Sequence, residues 1–219
     1  MKNIKVSLLH ITPQEIVIEA AKQSYELEEA DMSLVAKIIN NYGHDSIAEH
    51  ITFNFKIDGV SRAELQEHMR HRISSSTVKS TRRTLIKMLR EFGKVMELPE
   101  FLLNTDMKEW KPLLDKFFVH PDFPHPQLFQ IYDSWLSSTM VTINEASKYT
   151  TKQDFLKYFI PEGLRTKFVW SVNLRSLKNF LRQRMDKTSH FEIRRCAELI
   201  REEVLKTYAS IFVEQIKTD

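Results

Sequence analysis

Glycine is scarce in this chain. The 219 residues contain four, at positions 43, 59, 93 and 163, and no two are close together. The Gly-rich dinucleotide loop and the P-loop both need several glycines within a few residues, so neither is present. Any phosphate bound here must be held by side chains and helix N-termini. Cysteine is scarcer still, with Cys196 alone. That rules out an intramolecular disulfide and fits a reducing, cytoplasmic compartment. Cys196 lies in the helical pattern Glu192-Ile-Arg-Arg-Cys-Ala-Glu and reads as a packing residue. No uncharged run approaches the roughly 18 residues of a membrane span. Met1-Lys-Asn-Ile-Lys-Val lacks the apolar core of a secretion signal. No membrane partner is expected.

What remains is ordinary for a packed globular protein: 42% hydrophobic and 28% charged residues. The length suits one domain, or a core with an inserted lobe. The net charge of +3 is too small by itself to argue for nucleic acid. Its placement says more. Between Arg62 and Arg90 stand eight cations (Arg62, Arg70, Arg72, Lys79, Arg82, Arg83, Lys87, Arg90) against two acids, Glu64 and Glu67. That segment demands anions.

Lys5-Val-Ser-Leu-Leu predicts a short strand. Thr12 and Pro13 suit the N-cap and N1 positions of a helix through about Tyr25. A second helix covers Met32 to Asn40 and stops at Asn41-Tyr42-Gly43. Ile51-Thr-Phe-Asn-Phe-Lys-Ile-Asp alternates strictly, which predicts a strand with one buried face. Gly59 is expected to turn the chain into a helix over about Ser61 to Arg72, with Arg62, Gln66 and Arg70 in one column. Ser74-Ser-Ser-Thr77 is expected to be irregular, since hydroxyls compete for backbone bonds. Residues 94–150 suggest helices interrupted by Pro121, Pro124 and Pro126, with His120 and His125 as solvated loop residues and not a metal pair. Helices are expected at Gln153 to Phe159, Phe168 to Arg184 and Ser189 to Ile216. In the second of these, Leu174, Leu177, Phe180, Leu181 and Met185 fill one arc of the wheel. Asn173 and Arg184 fall inside that arc, where an arginine is costly unless it meets an anion or a hydrogen-bonding partner. The pattern predicts a mixed α/β (α+β) fold: one domain over residues 1–219, a small β-sheet with several helices, a helical C-terminal half and a possible helical insertion at 94–150.

The chemistry gathers at Arg70-His71-Arg72, followed by seven residues and then Ser80 and Arg82. Guanidinium forks suit phosphates and the carbonyl edge of a pyrimidine. Composition alone leaves open a solvated basic face. Arg-His-Arg, seven residues, then Ser is the signature of the flavin-dependent thymidylate synthases, and the chain resembles that family over most of its length. Ala20-Ala-Lys-Gln-Ser24 is similar to the family's Ala-Arg-x-Ser segment. Gly43-His44-Asp45-Ser46 with Glu49-His50 is similar to its Gly-His block. Ser171-Val-Asn173-Leu-Arg175-Ser-Leu-Lys-Asn179-Phe through Arg184 resembles its Asn-x-Arg-Ser-Leu-x-Asn-Phe helix.

The resemblance implies FAD as cofactor, NADPH and 5,10-methylenetetrahydrofolate as co-substrates, and conversion of dUMP to dTMP. It implies that Arg70, His71, Arg72, Val78, Asn173, Leu174, Arg175 and Asn179 hold FAD, with Ser46 reaching it from a neighbouring subunit. Glu67, Arg70, Lys79, Ser80, Thr81, Arg82, Lys157 and Arg184 would bind dUMP. Arg184 would also be catalytic, favouring ionisation of uracil N3. The family is homotetrameric, with active sites at subunit interfaces. No metal is implied.

The chain departs from the family pattern in places. Thr77-Val78 stands where many members have Asn-Glu, although one branch of the family carries Val-Lys before the serine. Arg83 replaces a tyrosine, which bears on the folate site. Glu67 holds a place often given to glutamine, and Thr188-Ser189-His190 replaces His-Ala-Gln. Methylating uracil at C5 usually relies on a cysteine adding at C6, and Cys196 lies outside every motif. A flavin route needs no protein nucleophile, and Ser80 reads as a binding residue. Two alternatives are a paralogue acting on another pyrimidine nucleotide and a basic nucleic-acid-binding protein. The latter lacks any RRM, KH or zinc pattern, and no aromatics interleave with the cations.

Overall fold

The computed structural model describes residues 4–96, 110–214 and 216. The chain separates into two units, one comprising Gly59–Ala63 and Lys79–Thr166, the other Asn3–Asp58, Glu64–Val78 and Lys167–Asp219.

The larger unit carries most of a four-stranded sheet ordered β1-β2-β4-β3. Its strands are β1 (Lys5–Ile11), β2 (Thr52–Ser61), β3 (Ser74–Val78) and β4 (Arg165–Asn173). β1 pairs antiparallel with β2, and β3 antiparallel with β4. The alternation in β2 does what it predicts, with Phe53, Phe55 and Ile57 fully buried. β4 alternates too, burying Thr166, Phe168, Trp170 and Val172 while Lys167 and Val169 face outward. The helix expected from Phe168 therefore begins only at Leu174. The expectation weighed apolar density; the period-2 run of aromatic and β-branched residues decides for strand.

β3 overturns the expected irregularity of Ser74–Thr77. Five consecutive residues, Ser74 to Val78, pair with Val172 to Phe168. The open edge of β4 supplies backbone partners that outweigh local hydroxyl competition, and an edge strand tolerates polar side chains. Gly59 does not start a helix either. It sits inside β2 with φ 88°, and the strand runs on to Ser61.

Three helices lie between the first two strands: α1 (Gln14–Tyr25), α2 (Met32–Asn41) and α3 (Asp45–Ala48). Pro13, not Thr12, caps α1, because the Thr12 hydroxyl accepts the N–H of Thr52 at 3.0 Å. α4 (Arg62–His68) stops four residues short of Arg72, so Arg70 stands beyond the helix and the expected polar column breaks there. After β4 come α9 (Leu174–Arg184) and α10 (Phe191–Val204). The long C-terminal helix expected to Ile216 ends at Val204. There the Thr207 side chain accepts the N–H of Ala209 and caps a separate 3-10 turn, Tyr208–Phe212.

The smaller unit is helical: α5 (Thr81–Met96), α6 (Trp110–Phe117), α7 (Pro126–Ser147) and α8 (Gln153–Leu156), the last running into a 3-10 turn at Lys157–Phe159. Leu85, Met88, Phe92, Trp110, Leu136 and Met140 form part of its core. Pro126 opens α7 at N1, and the His125 side chain accepts the N–H of Gln127 at 3.2 Å. His120 is not a solvated loop residue. It is held between Asp133 at 2.7 Å and Asp115 at 3.3 Å, and it is largely buried. Among the described residues no helix is long and apolar enough to cross a membrane.

Two glycines respond oppositely to alanine. At Gly59 the positive φ makes a side chain strained, at about 1–2 kcal/mol. At Gly93, inside α5, an added Cβ meets nothing within 4 Å. Gly93→Ala should stabilise by up to roughly 1 kcal/mol through helix propensity. Chemical denaturation of Gly59→Ala and Gly93→Ala should move the midpoint in opposite directions.

Candidate functional site

The antiparallel register brings two sequence motifs together. Ser74 pairs with Val172, so the segment entering β3 lies beside the end of β4, where α9 begins. That segment is the turn Arg70-His71-Arg72-Ile73. It is closed by the His71 N–H donating to His68 O at 3.2 Å and the Ser74 hydroxyl donating to His71 O at 2.7 Å. Asn173 is the N-cap of α9, its Oδ1 accepting the Ser176 N–H at 2.9 Å. This explains one of the two polar residues in the apolar arc. Leu174, Leu177, Phe180 and Leu181 are fully buried, and Arg175, Asn179 and Gln183 take the open face.

Between the turn and the helix is a cavity of about 1030 Å³. Arg70, His71, Arg72 and Ile73 line it from the turn, and Asn173, Arg175, Asn179 and Arg184 from α9. Ser176 and Gln183 add to the helix side, and Glu49 follows from beyond α3.

Arg184 is the other polar residue in the arc, and its side chain is only 15% exposed. Its Nε–H donates to His71 Nε2 at 2.9 Å, Nη1 donates to Glu67 Oε2 at 3.0 Å, and Nη2 donates to the Glu67 backbone oxygen at 3.2 Å. A guanidinium has only donors, so His71 Nε2 must be an acceptor and the ring proton sits on Nδ1. Burial first, then the Arg184 charge, lowers the His71 pKa to about 4, with His68 and Arg70 adding to the shift and Glu67 opposing it. The ring is neutral at pH 7.

Arg175 donates to Glu49 Oε1 at 2.6 Å and has Asp45 Oδ2 at 3.8 Å; the Glu49 hydrogen bond is the main reason its pKa is raised. Asn179 Oδ1 accepts from Gln183 Nε2 at 3.1 Å. Arg70 is largely exposed, with Glu67 at 3.6 Å.

In the smaller unit, Ser80 precedes the first turn of α5, where its hydroxyl accepts the Arg83 N–H at 3.4 Å. Thr81 opens the helix, whose N-terminal N–H groups favour anions. Arg82 grips Asp154 with two hydrogen bonds of 2.8 and 2.9 Å, and Lys157 meets the same carboxylate at 3.2 Å. Arg62 faces Glu162 at 3.8 Å and Lys87 faces Glu91 at 3.9 Å. The basic run is thus partly matched by acids from elsewhere in the chain.

Residues 7–208 match the family model of the thymidylate synthase complementing proteins. A flavin-dependent thymidylate synthase of Wolinella succinogenes is 30% identical over 214 residues, covering 94% of this chain and 96% of that one. One of Helicobacter pylori is 30% identical over 221 residues, covering 98% and 100%. The chain belongs to the flavin-dependent thymidylate synthase family. A crystal structure of the Helicobacter pylori thymidylate synthase X with FAD and dUMP superposes with a TM-score of 0.79 at 28% identity, covering 98% of this chain and 99% of that one. The mixed α/β fold expected from the sequence is therefore the family's fold.

Of the residues the family motifs single out, Arg70, His71, Arg72, Asn173, Arg175, Asn179 and Arg184 share the one cavity. Glu67 stands behind Arg184. Ser46 is exposed on α3, Val78 ends β3, and Leu174 is fully buried in the core; none of the three lines the cavity. Lys79, Ser80, Thr81, Arg82 and Lys157 belong to the smaller unit. Sequence reasoning missed Glu49, Ile73, Ser176 and Gln183 as lining residues. Glu49 stood within a quoted motif, and Gln183 is one helical turn beyond Asn179, so spacing on the wheel was the signal for it.

The His71 pKa, depressed from 6.5 to about 4, makes the native state bind fewer protons than the unfolded chain between those values. Its contribution to stability is fully present above pH 6.5 and is lost as pH falls towards about 4. NMR titration should find the His71 ring titrating near 4 as the Nδ1–H tautomer, and moving up towards 6.5 in Arg184→Ala. A wild-type ring titrating near 6.5 would contradict the arrangement.

Proposed function

We propose that this chain is a flavin-dependent thymidylate synthase that converts dUMP to dTMP, with 5,10-methylenetetrahydrofolate as one-carbon donor and NADPH as reductant. The observation that carries the reading is the convergence of Arg70-His71-Arg72 with Asn173, Arg175, Asn179 and Arg184 on one cavity. The cavity suits FAD. Its guanidinium groups match a diphosphate, its amide side chains match the donors and acceptors of a flavin ring, and about 1030 Å³ is ample for a dinucleotide. When bound, FAD supplies the hydride that turns the transferred methylene into a methyl group.

The protein's part is positioning and electrostatics. Arg70, His71, Arg72, Asn173, Arg175 and Asn179 hold the cofactor. Ser46, exposed on α3, reaches the flavin of a neighbouring subunit in a homotetramer. Ser80 and Thr81 offer the N-terminus of α5 to the dUMP phosphate together with Arg82, Lys79 and Lys157. The two units act as one family domain over the whole chain. Asp154 holds Arg82 and Lys157 until the more highly charged phosphate replaces it.

Arg184 acts on the uracil. Three of its five N–H groups are fixed by Glu67 and His71, and the residue lines the cavity. A fixed guanidinium beside N3 stabilises the ring's anion, which raises electron density at C5. Cys196 plays no part: it is fully buried, and burial, followed by the Glu64 carboxyl, pushes its thiol pKa up. A nucleic-acid-binding reading gains nothing from a basic run in which Arg62, Arg82 and Lys87 already face carboxylates.

Titration with FAD should quench flavin fluorescence and raise the melting temperature with ligand concentration. Absence of both effects would sink the reading. Arg184→Ala should retain FAD yet lose turnover to dTMP on the order of 10²- to 10³-fold, as when an oxyanion donor is deleted. Arg184→Lys should fail to restore it, because an ammonium lacks the planar fork. Near wild-type turnover in Arg184→Ala would refute the role. Light scattering should give a tetramer; a fully active monomer would exclude a shared flavin site.

A further inference from the structure

α7 packs one face on the core of the smaller unit and leaves the other open. Asp133, Leu136, Met140 and Ile143 are buried, whereas Leu128, Ile131, Trp135 and Val141 are exposed, Ile131 at 63% and Trp135 at 50%. Leu128, Ile131 and Trp135 follow the alternating three- and four-residue spacing of a helix-pairing seam, and Ser138 and Thr142 continue it. Single exposed apolar residues are common on a protein surface, but an ordered row of them marks a contact.

The row carries no charge. In a chain 28% charged, Pro126 to Asn144 contains one charged residue, Asp133, and that carboxylate is buried against His120 at 2.7 Å. The hydroxyls of the row are already satisfied: Ser138 Oγ donates to the Ser134 backbone oxygen and Thr142 Oγ1 to that of Ser138, each at 3.0 Å. Covering them leaves neither donor unpaired. Size is graded as well, with bulky side chains up to Trp135 and small hydroxyls at Ser138 and Thr142. A charged partner would find no complementary charge here, whereas a second copy of the same helix brings an equally neutral face.

We propose that the exposed face of α7 pairs antiparallel with α7 of a second copy of this chain, about a two-fold axis. That direction seats Trp135 on the partner's Ser138 and Ile131 on the partner's Thr142, so large side chains meet small ones. A parallel pair would set the two tryptophans against each other. The 22 residues of α7 span about 33 Å and about 10 Å across, a contact of roughly 330 Å². A stable interface takes roughly 800 Å² per partner. The α7 pair therefore works beside another contact, and to that extent it rests on the homotetramer proposed above. A tetramer closed by two-fold axes needs two kinds of interface, and a shared flavin site supplies only one.

The test uses the full-length chain. Trp110 and Trp170 are buried, so Trp135 alone of the three tryptophans is open to acrylamide in a single chain. Acrylamide should quench almost none of the wild-type tryptophan emission at micromolar concentration. In Ile131→Glu, where pairing would bury a charge, about one tryptophan in three should become accessible. Light scattering should give that variant half the wild-type mass. Ser138→Cys should form a covalent dimer with a short bismaleimide, and the wild type should not, its one cysteine being fully buried. A quenchable tryptophan in the wild type, an unchanged mass in Ile131→Glu or no covalent dimer in Ser138→Cys overturns the proposal. If Ile131→Glu fails to fold, the wild-type quenching and the cross-link decide. A covalent dimer in an assembly that is not a tetramer would keep the α7 pair and remove the homotetramer; a tetramer without the cross-link would do the reverse.

Discussion

An arginine drawn almost out of water has to be held, and the way Arg184 is held organises the site. Its Nε–H fixes the tautomer of His71, and its two terminal nitrogens clasp the Glu67 carboxylate and backbone carbonyl. One side chain at the end of α9 thus ties down the end of α4 and the turn beyond it. Removing a partner would leave a charge with little solvent and no counterion, which costs far more than the pair contributes. The same contacts leave the guanidinium oriented before any ligand arrives. Preorganisation of this kind is what makes a fixed charge effective in a site with little water.

Backbone register puts those groups within reach of one another. Because β3 starts opposite the end of β4, the Arg-His-Arg turn and the first turn of α9 are neighbours although a hundred residues of sequence lie between them. The Asn173 cap then sets where α9 begins, and with it which residues face the cavity: Arg175, Asn179 and Gln183 on the open side, the leucines and Phe180 inward. The cavity is lined by side chains from the turn and from α9 and not by a glycine-rich backbone loop, in keeping with a chain of four glycines.

Much of this was legible in the sequence, and the failures have physical causes. The strict alternation of β2 and the apolar arc of α9 are local signals and held. Arg184 and Asn173 stood out as polar residues in an apolar arc; one proved to be a clasped cation and the other a helix cap. β3 was illegible because Ser74-Ser-Ser-Thr77 has no strand pattern of its own, and only the edge of β4 makes it a strand. The start of α9 was read too early because a buried strand and a buried helix share apolar density. His120 was read as solvated because nothing local reveals Asp133 and Asp115 closing on it. Ser46 and Val78 were named through the family motifs alone, and within one chain neither touches the cavity.

The central claim is that Arg184 stabilises a uracil ring ionised at N3. The direct measurement is the ultraviolet spectrum of the pyrimidine when 5-fluoro-dUMP, whose N3 is more acidic than that of dUMP, binds the FAD-loaded chain across a pH series. The account predicts that the bound ring loses its N3 proton at lower pH than the free nucleotide, and that Arg184→Ala abolishes the shift. A bound ring that ionises at the same pH as the free nucleotide, or a shift that survives in Arg184→Ala, would contradict it.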